Sequence, residues 1–320
     1  MCRRKTFVAL VACIALPVLL ALLLTPQPAP AQKPLRMGLI VKNLVNPFWV
    51  YMRQGAEVAA KKHNIELTTY APTKPDNVEE QIRIMEDLIQ KKVDAIIIVP
   101  ADSNGIVPGI ERANAANIPV ALANSNAFGG KVITFTGVEN YAGMVQVAEY
   151  MAKKLGGKGN VVILEGVPGA QTAMDRKRAA DDVLKKYPDI KVLASQTALN
   201  QRGEGMSVME NLLQRFPTID AVFGTNDEMA LGAIEALDAA KRLDKTMVSG
   251  FDCNNDAVRA ISQGRMVVTL DQQPGEQAAS ALEAAVQFLQ GKDVPKRIVT
   301  PAALVDTSNV ASYLSRLPKK

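Results

Sequence analysis

Residues 39–51 read Leu-Ile-Val-Lys-Asn-Leu-Val-Asn-Pro-Phe-Trp-Val-Tyr, and the reading of this stretch decides the fold. Leu39, Ile40 and Val41 form the apolar run of a buried strand, and Pro47 is preset for a first helical turn, so a strand passes directly into a helix. The polar and aromatic residues of the turn then lie beyond the strand's carboxyl end. In open α/β sheets ligands bind at that edge, which makes Lys42, Asn43, Asn46, Phe48 and Trp49 candidates for lining a cleft. An ordinary capped turn, with Asn46 as N-cap and the two aromatics in the core, accounts for the same residues.

Outward from this stretch, strand-like apolar runs alternate with helix-length amphipathic segments. In the first series strands fall at 37–41, 65–70, 95–99 and 119–123, with helices at 47–63, 77–91 and 105–117. Runs such as Ile96-Ile97-Ile98-Val99 are apolar on both faces, as in a parallel sheet covered by helices on each side. After Gly129-Gly130 and a strand at 132–136 comes a second series. Its helices fall at 142–155, 173–187, 205–216, 228–240 and 256–263, followed by one at 275–289. Its strands fall at 161–165, 191–195, 221–224, 247–250 and 267–270. The expected fold class is α/β, with two doubly wound parallel-sheet lobes and a groove between them. The tail at 297–317 adds edge strands while crossing between lobes.

Residues 1–31 form a basic start, an apolar middle and a small-residue exit at Ala29 and Ala31, which predicts an export signal cut after Ala31 and a periplasmic location. A transmembrane anchor is the alternative, disfavoured by Pro17 within the run. Leu10-Val-Ala-Cys13 also resembles a lipoprotein box, but a cut there strands the longer half of the apolar run. Of 37 basic residues only Arg3, Arg4 and Lys5 lie in the leader, and none of the 32 acidic ones, so the mature chain carries a net charge of +2. No basic run with interleaved aromatics points to nucleic acid. Cys2 and Cys13 leave with the signal and Cys253 remains alone, which excludes an intrachain disulfide and a cysteine-based metal site.

The chain is poor in catalytic chemistry. His63 is the only histidine, in a Lys-Lys-His-Asn run that reads as a solvated helix end, so neither a Ser/His/Asp triad nor a histidine-rich metal site can form. No phosphate-cradling glycine motif follows a strand. What recurs is polar side chains just past strand ends: Lys42, Asn46, Asn124, Ser125, Asn226, Asp252 and Gln272, with Arg176 near the start of a helix. Donors (Lys42, Arg176), an acceptor (Asp252) and amides that do both suit a hydroxyl-rich ligand. Phe48 and Trp49 offer a flat wall to the C–H face of a sugar ring. Each has a plainer reading. Asn226 before Asp227 and Glu228 is a good N-cap, Asp252 suits an Asx-turn or a cap, and Arg176 lies in a charged stretch typical of a solvated face.

Asn46-Pro-Phe-Trp, Asn226-Asp-Glu-Met-Ala-Leu-Gly, Gly250-Phe-Asp and Gln272-Gln-Pro stand in the order and spacing of periplasmic ribose-type sugar-binding proteins, the type I periplasmic binding proteins of ABC importers. Ala116-Asn-Ile-Pro-Val and Leu193-Ala-Ser-Gln fit as well, and Lys42 with Trp49 resembles the allose-binding branch. The resemblance covers essentially the whole mature chain. It implies two lobes joined by three hinge crossings near Gly137, Gln272 and Pro301, and delivery of ligand to a membrane permease. The lobes are then 32–138 with 273–301 and 139–272 with 302–320. It also implies ligand contacts at Lys42, Asn46, Phe48, Trp49, Arg176, Asn226, Asp252 and Gln272. Two positions depart from the pattern. Asn124-Ser125 replaces an acidic residue and its polar neighbour, and Asn200 stands where the second lobe supplies a further aromatic wall.

The expectation is a monomeric, non-enzymatic receptor, without cofactor or metal, whose lobes close on one small polyhydroxylated molecule. The ligand is an aldopentose or hexose, a sugar alcohol or a sugar acid. A receptor signalling to a membrane sensor remains an alternative, as do a sugar-responsive transcription factor and an exported enzyme using Glu139 and Asp252.

Overall fold

The computed structural model describes residues 33–315 and Leu317, so the leader, its cut after Ala31 and the box at Cys13 lie outside the described residues. The first lobe is built by β1 (Leu35–Ile40), α1 (Pro47–Lys62), β2 (Ile65–Tyr70), α2 (Val78–Gln90), β3 (Ala95–Ile98), α3 (Val107–Ala115), β4 (Val120–Ala123) and β5 (Phe135–Gly137). A second series follows with α4 (Asn140–Lys154), β6 (Lys158–Glu165), α5 (Gln171–Leu184), β7 (Asp189–Thr197), α6 (Arg202–Arg215) and β8 (Ala221–Gly224). It continues through α7 (Asp227–Ala239), β9 (Met247–Ser249), α8 (Asn255–Ser262) and β10 (Val268–Asp271). The chain ends with α9 (Pro274–Leu289), β11 (Arg297–Val299), β12 (Ala303–Asp306) and α10 (Val310–Leu314).

The strands form two six-stranded sheets, ordered β11-β5-β4-β3-β1-β2 and β12-β10-β9-β8-β6-β7. All pair in parallel except β12, which runs antiparallel to β10. The α/β reading with two parallel-sheet lobes therefore holds. Each sheet carries the 2-1-3-4-5 order of a doubly wound fold, and strand order reverses between β1 and β3 and between β6 and β8. The ends of β1 and β3 splay around the buried Gln81. Its amide donates to the carbonyls of Val41 and Val99, and its carbonyl accepts from the Ala101 N–H. The chain passes between the sheets three times, after β5, after β10 and between β11 and β12.

Local chemistry explains the boundaries. Asn46, Asn77 and Asn226 cap α1, α2 and α7, each accepting a backbone N–H with its side-chain oxygen. Several boundaries differ from the sequence reading, β6 and α6 each starting three residues earlier than expected. The helix expected at 105–117 begins at Val107, because the Asp102 carboxylate takes the N–H groups of Asn104 and Gly105 and holds that segment as a turn. The strand expected at 132–136 begins at Phe135, although the Ile133 N–H already donates to the Val120 carbonyl and the Thr134 carbonyl accepts from Leu122. Apolar side chains fill both faces of each sheet, and no described helix is long and apolar enough to cross a membrane.

Helices α1 and α9 cross at Gly55 and Gly275 so closely that a Cβ on Gly55 would sit 2.3 Å from Gly275 Cα. Gly55→Ala should therefore destabilise the fold by about 1–3 kcal/mol through overpacking. Gly203→Ala, in α6 with open space around it, should instead stabilise it by roughly 0.5–1 kcal/mol. Denaturant unfolding of the two variants checks the contrast.

Candidate functional site

The carboxyl ends of both sheets face a common gap lined by Lys42, Asn46, Phe48, Trp49, Asn124, Thr172, Arg176, Asn200, Asn226, Asp252 and Gln272. Ten of the twelve residues singled out from the sequence meet there; Asn43 does not, because its side-chain oxygen takes the Val45 and Asn46 N–H groups within the turn. Nor does Ser125: Asn124 is left-handed at φ 60°, which turns the chain after β4, and Ser125 is buried behind the wall with its hydroxyl unpaired. Thr172, in the first turn of α5, is added. A hollow at the opposite edge of the second sheet, lined by Lys158, Asp220 and Arg265, lies at the strands' amino ends and gathers none of these groups.

On the first lobe Phe48 and Trp49 stand edge to face, with centroids 4.8 Å apart. They belong both to the core and to the cavity wall, so the core reading and the ligand reading of these rings describe one arrangement. Asn46 likewise spends its carbonyl on the Phe48 N–H at 2.9 Å as N-cap, which leaves its amide N–H groups toward the cavity. Lys42 is 1 % exposed and lies 5.6 Å from the Trp49 ring centre. Among the described residues its ammonium makes no hydrogen bond or ion pair. Burial pushes its pKa down to about 8, opposed chiefly by Asp76.

On the second lobe Arg176 is buried, not solvated, and its guanidinium lies 3.9 Å from the Phe251 ring centre. Nε donates to Asn140 at 2.9 Å, Nη1 to the Thr225 carbonyl at 2.9 Å, and Nη2 to Gln272 Oε1 at 3.2 Å. Asp252 Oδ1 lies 3.7 Å from Nη1 and accepts from Gln272 Nε2 at 2.5 Å. The Asp252 backbone is held at φ 141°, a conformation L residues rarely adopt and one typical of functional sites. Burial drives this pair toward neutrality, lowering Arg176 to about 10 and raising Asp252 against the pull of Arg176. Because a guanidinium stays protonated, Asp252 is the member whose charge responds. Behind it Asp227 is buried and pushed up to about 7, while hydrogen bonds from Thr269 and the Asn254 N–H oppose the shift.

Gln272, on the middle crossing, ties the halves together. Its carbonyl accepts from Arg176 and, at 3.3 Å, from Asn124 of the first lobe. Asn124 gives its other N–H to Gln277 Oε1, and the Gln277 amide donates in turn to the backbone carbonyl of Gln272. Both amide hydrogens of Asn124 are thus committed, and its oxygen is left for the cavity. Asn226 caps Met229 with its oxygen and donates to the Asn200 carbonyl at 3.3 Å, keeping one N–H. Asn140 and Gln277, absent from the sequence reading, are buried polar groups that orient the others. The cavity is rich in donors (Lys42, Asn46, Arg176, Asn226), with acceptors at Asp252 and Asn124. The described residues hold no cluster able to bind a metal ion.

A family model described as "Periplasmic binding protein domain" matches residues 37–293. The ribose import binding protein of Bacillus subtilis (strain 168) is 39% identical over 273 residues, 85% of this chain and 88% of that protein. A periplasmic solute-binding protein of an ABC transporter from Actinobacillus succinogenes 130z, solved with bound D-allose, is 35% identical with a TM-score of 0.83 and covers 87% of this chain and 100% of its own. An ABC transporter solute-binding protein from Bacillus halodurans C-125, solved with bound myo-inositol, is 31% identical with a TM-score of 0.84 over 90% of this chain and 100% of its own.

A desolvated ammonium without an acceptor penalises the empty, closed gap. Relative to a solvated lysine at 10.5, a pKa near 8 corresponds to up to about 3 kcal/mol below pH 8. Opening binds the extra proton, so the penalty fades as pH rises from 8 to 10.5 and closure gains ground over that window. Lys42→Met should remove the penalty. Small-angle scattering of the unliganded protein at pH 7 should give a smaller radius of gyration for this variant than for the unaltered chain.

Proposed function

The chain belongs to the periplasmic binding protein domain family, and from this we propose that it is an exported, non-enzymatic receptor that closes two lobes around one monosaccharide-like molecule and hands it to the permease of an ABC importer. The carrying observation is the pairing of unsatisfied donors with a flat aromatic wall. The Lys42 ammonium and the Asn46 amide face the cavity beside Trp49 and Phe48, and a hydroxylated ring offers lone pairs to the donors and a C–H face to the wall. Residues 1–31 serve as the export signal, cut after Ala31.

Each lobe holds half of the recognition. The first supplies Lys42, Asn46, the aromatic wall and the Asn124 oxygen; the second supplies Arg176, Asn226 and Asp252. Closure is then driven by contacts that exist only when both halves touch the same guest. Hydroxyls that donate to Asp252 and accept from Arg176 satisfy groups already desolvated, whereas a ligand leaving one of them unpaired loses roughly 1–3 kcal/mol. With Asn124 in place of an acid and Asn200 in place of a second wall, the cavity reads hydroxyls with fewer charges and with one aromatic face instead of two.

Titration calorimetry against D-ribose, D-allose and myo-inositol tests the reading. One-to-one binding of a member of this set is expected. Asp252→Ala should stay folded and bind at least about tenfold more weakly, the cost of an unpaired buried donor array. Binding to none of the three, or unaltered affinity in Asp252→Ala, would contradict it.

A further inference from the structure

Helix α5 carries Thr172 and Arg176 into the cavity, yet its own N-cap position cannot serve it: Ala170 makes no side-chain cap hydrogen bond. The first N–H groups of any helix need outside partners. Here the Gln171 N–H donates to the Ser103 hydroxyl oxygen at 3.0 Å, and Ser103 belongs to the first lobe, in the loop after β3. The Ser103 N–H in turn donates to the Gly169 carbonyl at 3.1 Å, so one residue makes both contacts across the gap. We infer that Ser103 is a positioning residue that caps helix α5 from the opposite lobe, completing the helix that carries Arg176 only when the lobes are closed.

Three further features fit this role. Ser103 is fully buried although it lies on a loop, and its carbonyl is fixed by the Phe128 N–H at 2.8 Å, so the hydroxyl is presented from a rigid mount. Gly169 has φ +86°, and a Cβ there would lie 1.9 Å from Asp102 Oδ2. That carboxylate is itself held by the Asn104 and Gly105 N–H groups and cannot readily yield. Closure to this distance therefore requires glycine at 169. Thr172, the residue after the capped amide, lines the cavity. The cap thus couples closure to the order of the helical turn that faces the ligand, without touching the ligand. It rests on the proposed function, in which closing accompanies capture.

The test is affinity together with amide exchange at Gln171, with and without the sugar that binds best in calorimetry. Ser103→Ala should bind about fivefold more weakly, the usual worth of a lost cap, through faster release. In the sugar-saturated protein its Gln171 amide should exchange faster than in the unaltered chain, whereas without sugar the two should match. Gly169→Ala, on the other lobe, should weaken binding more than Ser103→Ala does. Unchanged affinity in either variant, or equal Gln171 exchange in the saturated proteins, overturns the proposal. Should no sugar bind the unaltered protein, the sugar reading falls by itself. The cap is then judged in the Lys42→Met background, which closes without a guest, where equal Gln171 exchange with and without Ser103→Ala overturns it.

Discussion

The Arg176 guanidinium is the group around which the cleft is arranged. It is buried against the Phe251 ring, and three of its five N–H bonds are committed to Asn140, the Thr225 carbonyl and Gln272. Removing such a partner from a buried charge costs several kcal/mol, about 3–5 in comparable pairs. So Asn140, Gln272 and Asp252 are fixed in turn by the need to keep it satisfied. Through Gln272 the same network reaches Asn124 on the first lobe, which makes the second hinge crossing part of the site.

Lys42 stands opposite with the reverse economy. Arg176 is held by the protein whether or not a guest is present, whereas Lys42 has no acceptor of its own. The cleft is thus asymmetric: the protein itself satisfies the donors of one wall, and the other offers its donors to a guest. A guest with several hydroxyls resolves the asymmetry because each oxygen can accept from Lys42 or Asn46 while its hydrogen turns to Asp252 or Asn124. The single aromatic wall, from Phe48 and Trp49, orients the ring without adding charge.

Much of this was legible in the chain. The β1 to α1 turn announced both the sheet edge and its lining, because apolar runs locate strands and strand ends locate ligand sites in a doubly wound fold. Asn226 and Asn46 read equally well as caps or contacts, and the structure gives both: the oxygen caps while the nitrogen is left over. Arg176 was different. Its neighbours Asp175, Lys177 and Arg178 made it look solvated, and only resemblance to a family raised it, because burial of one residue in a charged helix depends on which face packs. Thr172, Asn140 and Gln277 carried no local signal. Their roles come from contacts with residues far along the chain, as when Asn124 reaches Gln277 across 153 positions. Ser125 was misplaced because adjacency in sequence does not survive a left-handed turn at Asn124.

The central claim is that a single guest sits against Trp49, between the lobes. Trp49 is the only tryptophan of the chain, so its emission reports on this wall and nothing else. Fluorescence titration with D-ribose, D-allose and myo-inositol tests the claim most directly. The account predicts a saturable change in Trp49 emission with one-to-one stoichiometry for the sugar or polyol that binds. Binding detected by calorimetry with no change in that emission would place the guest elsewhere and contradict it.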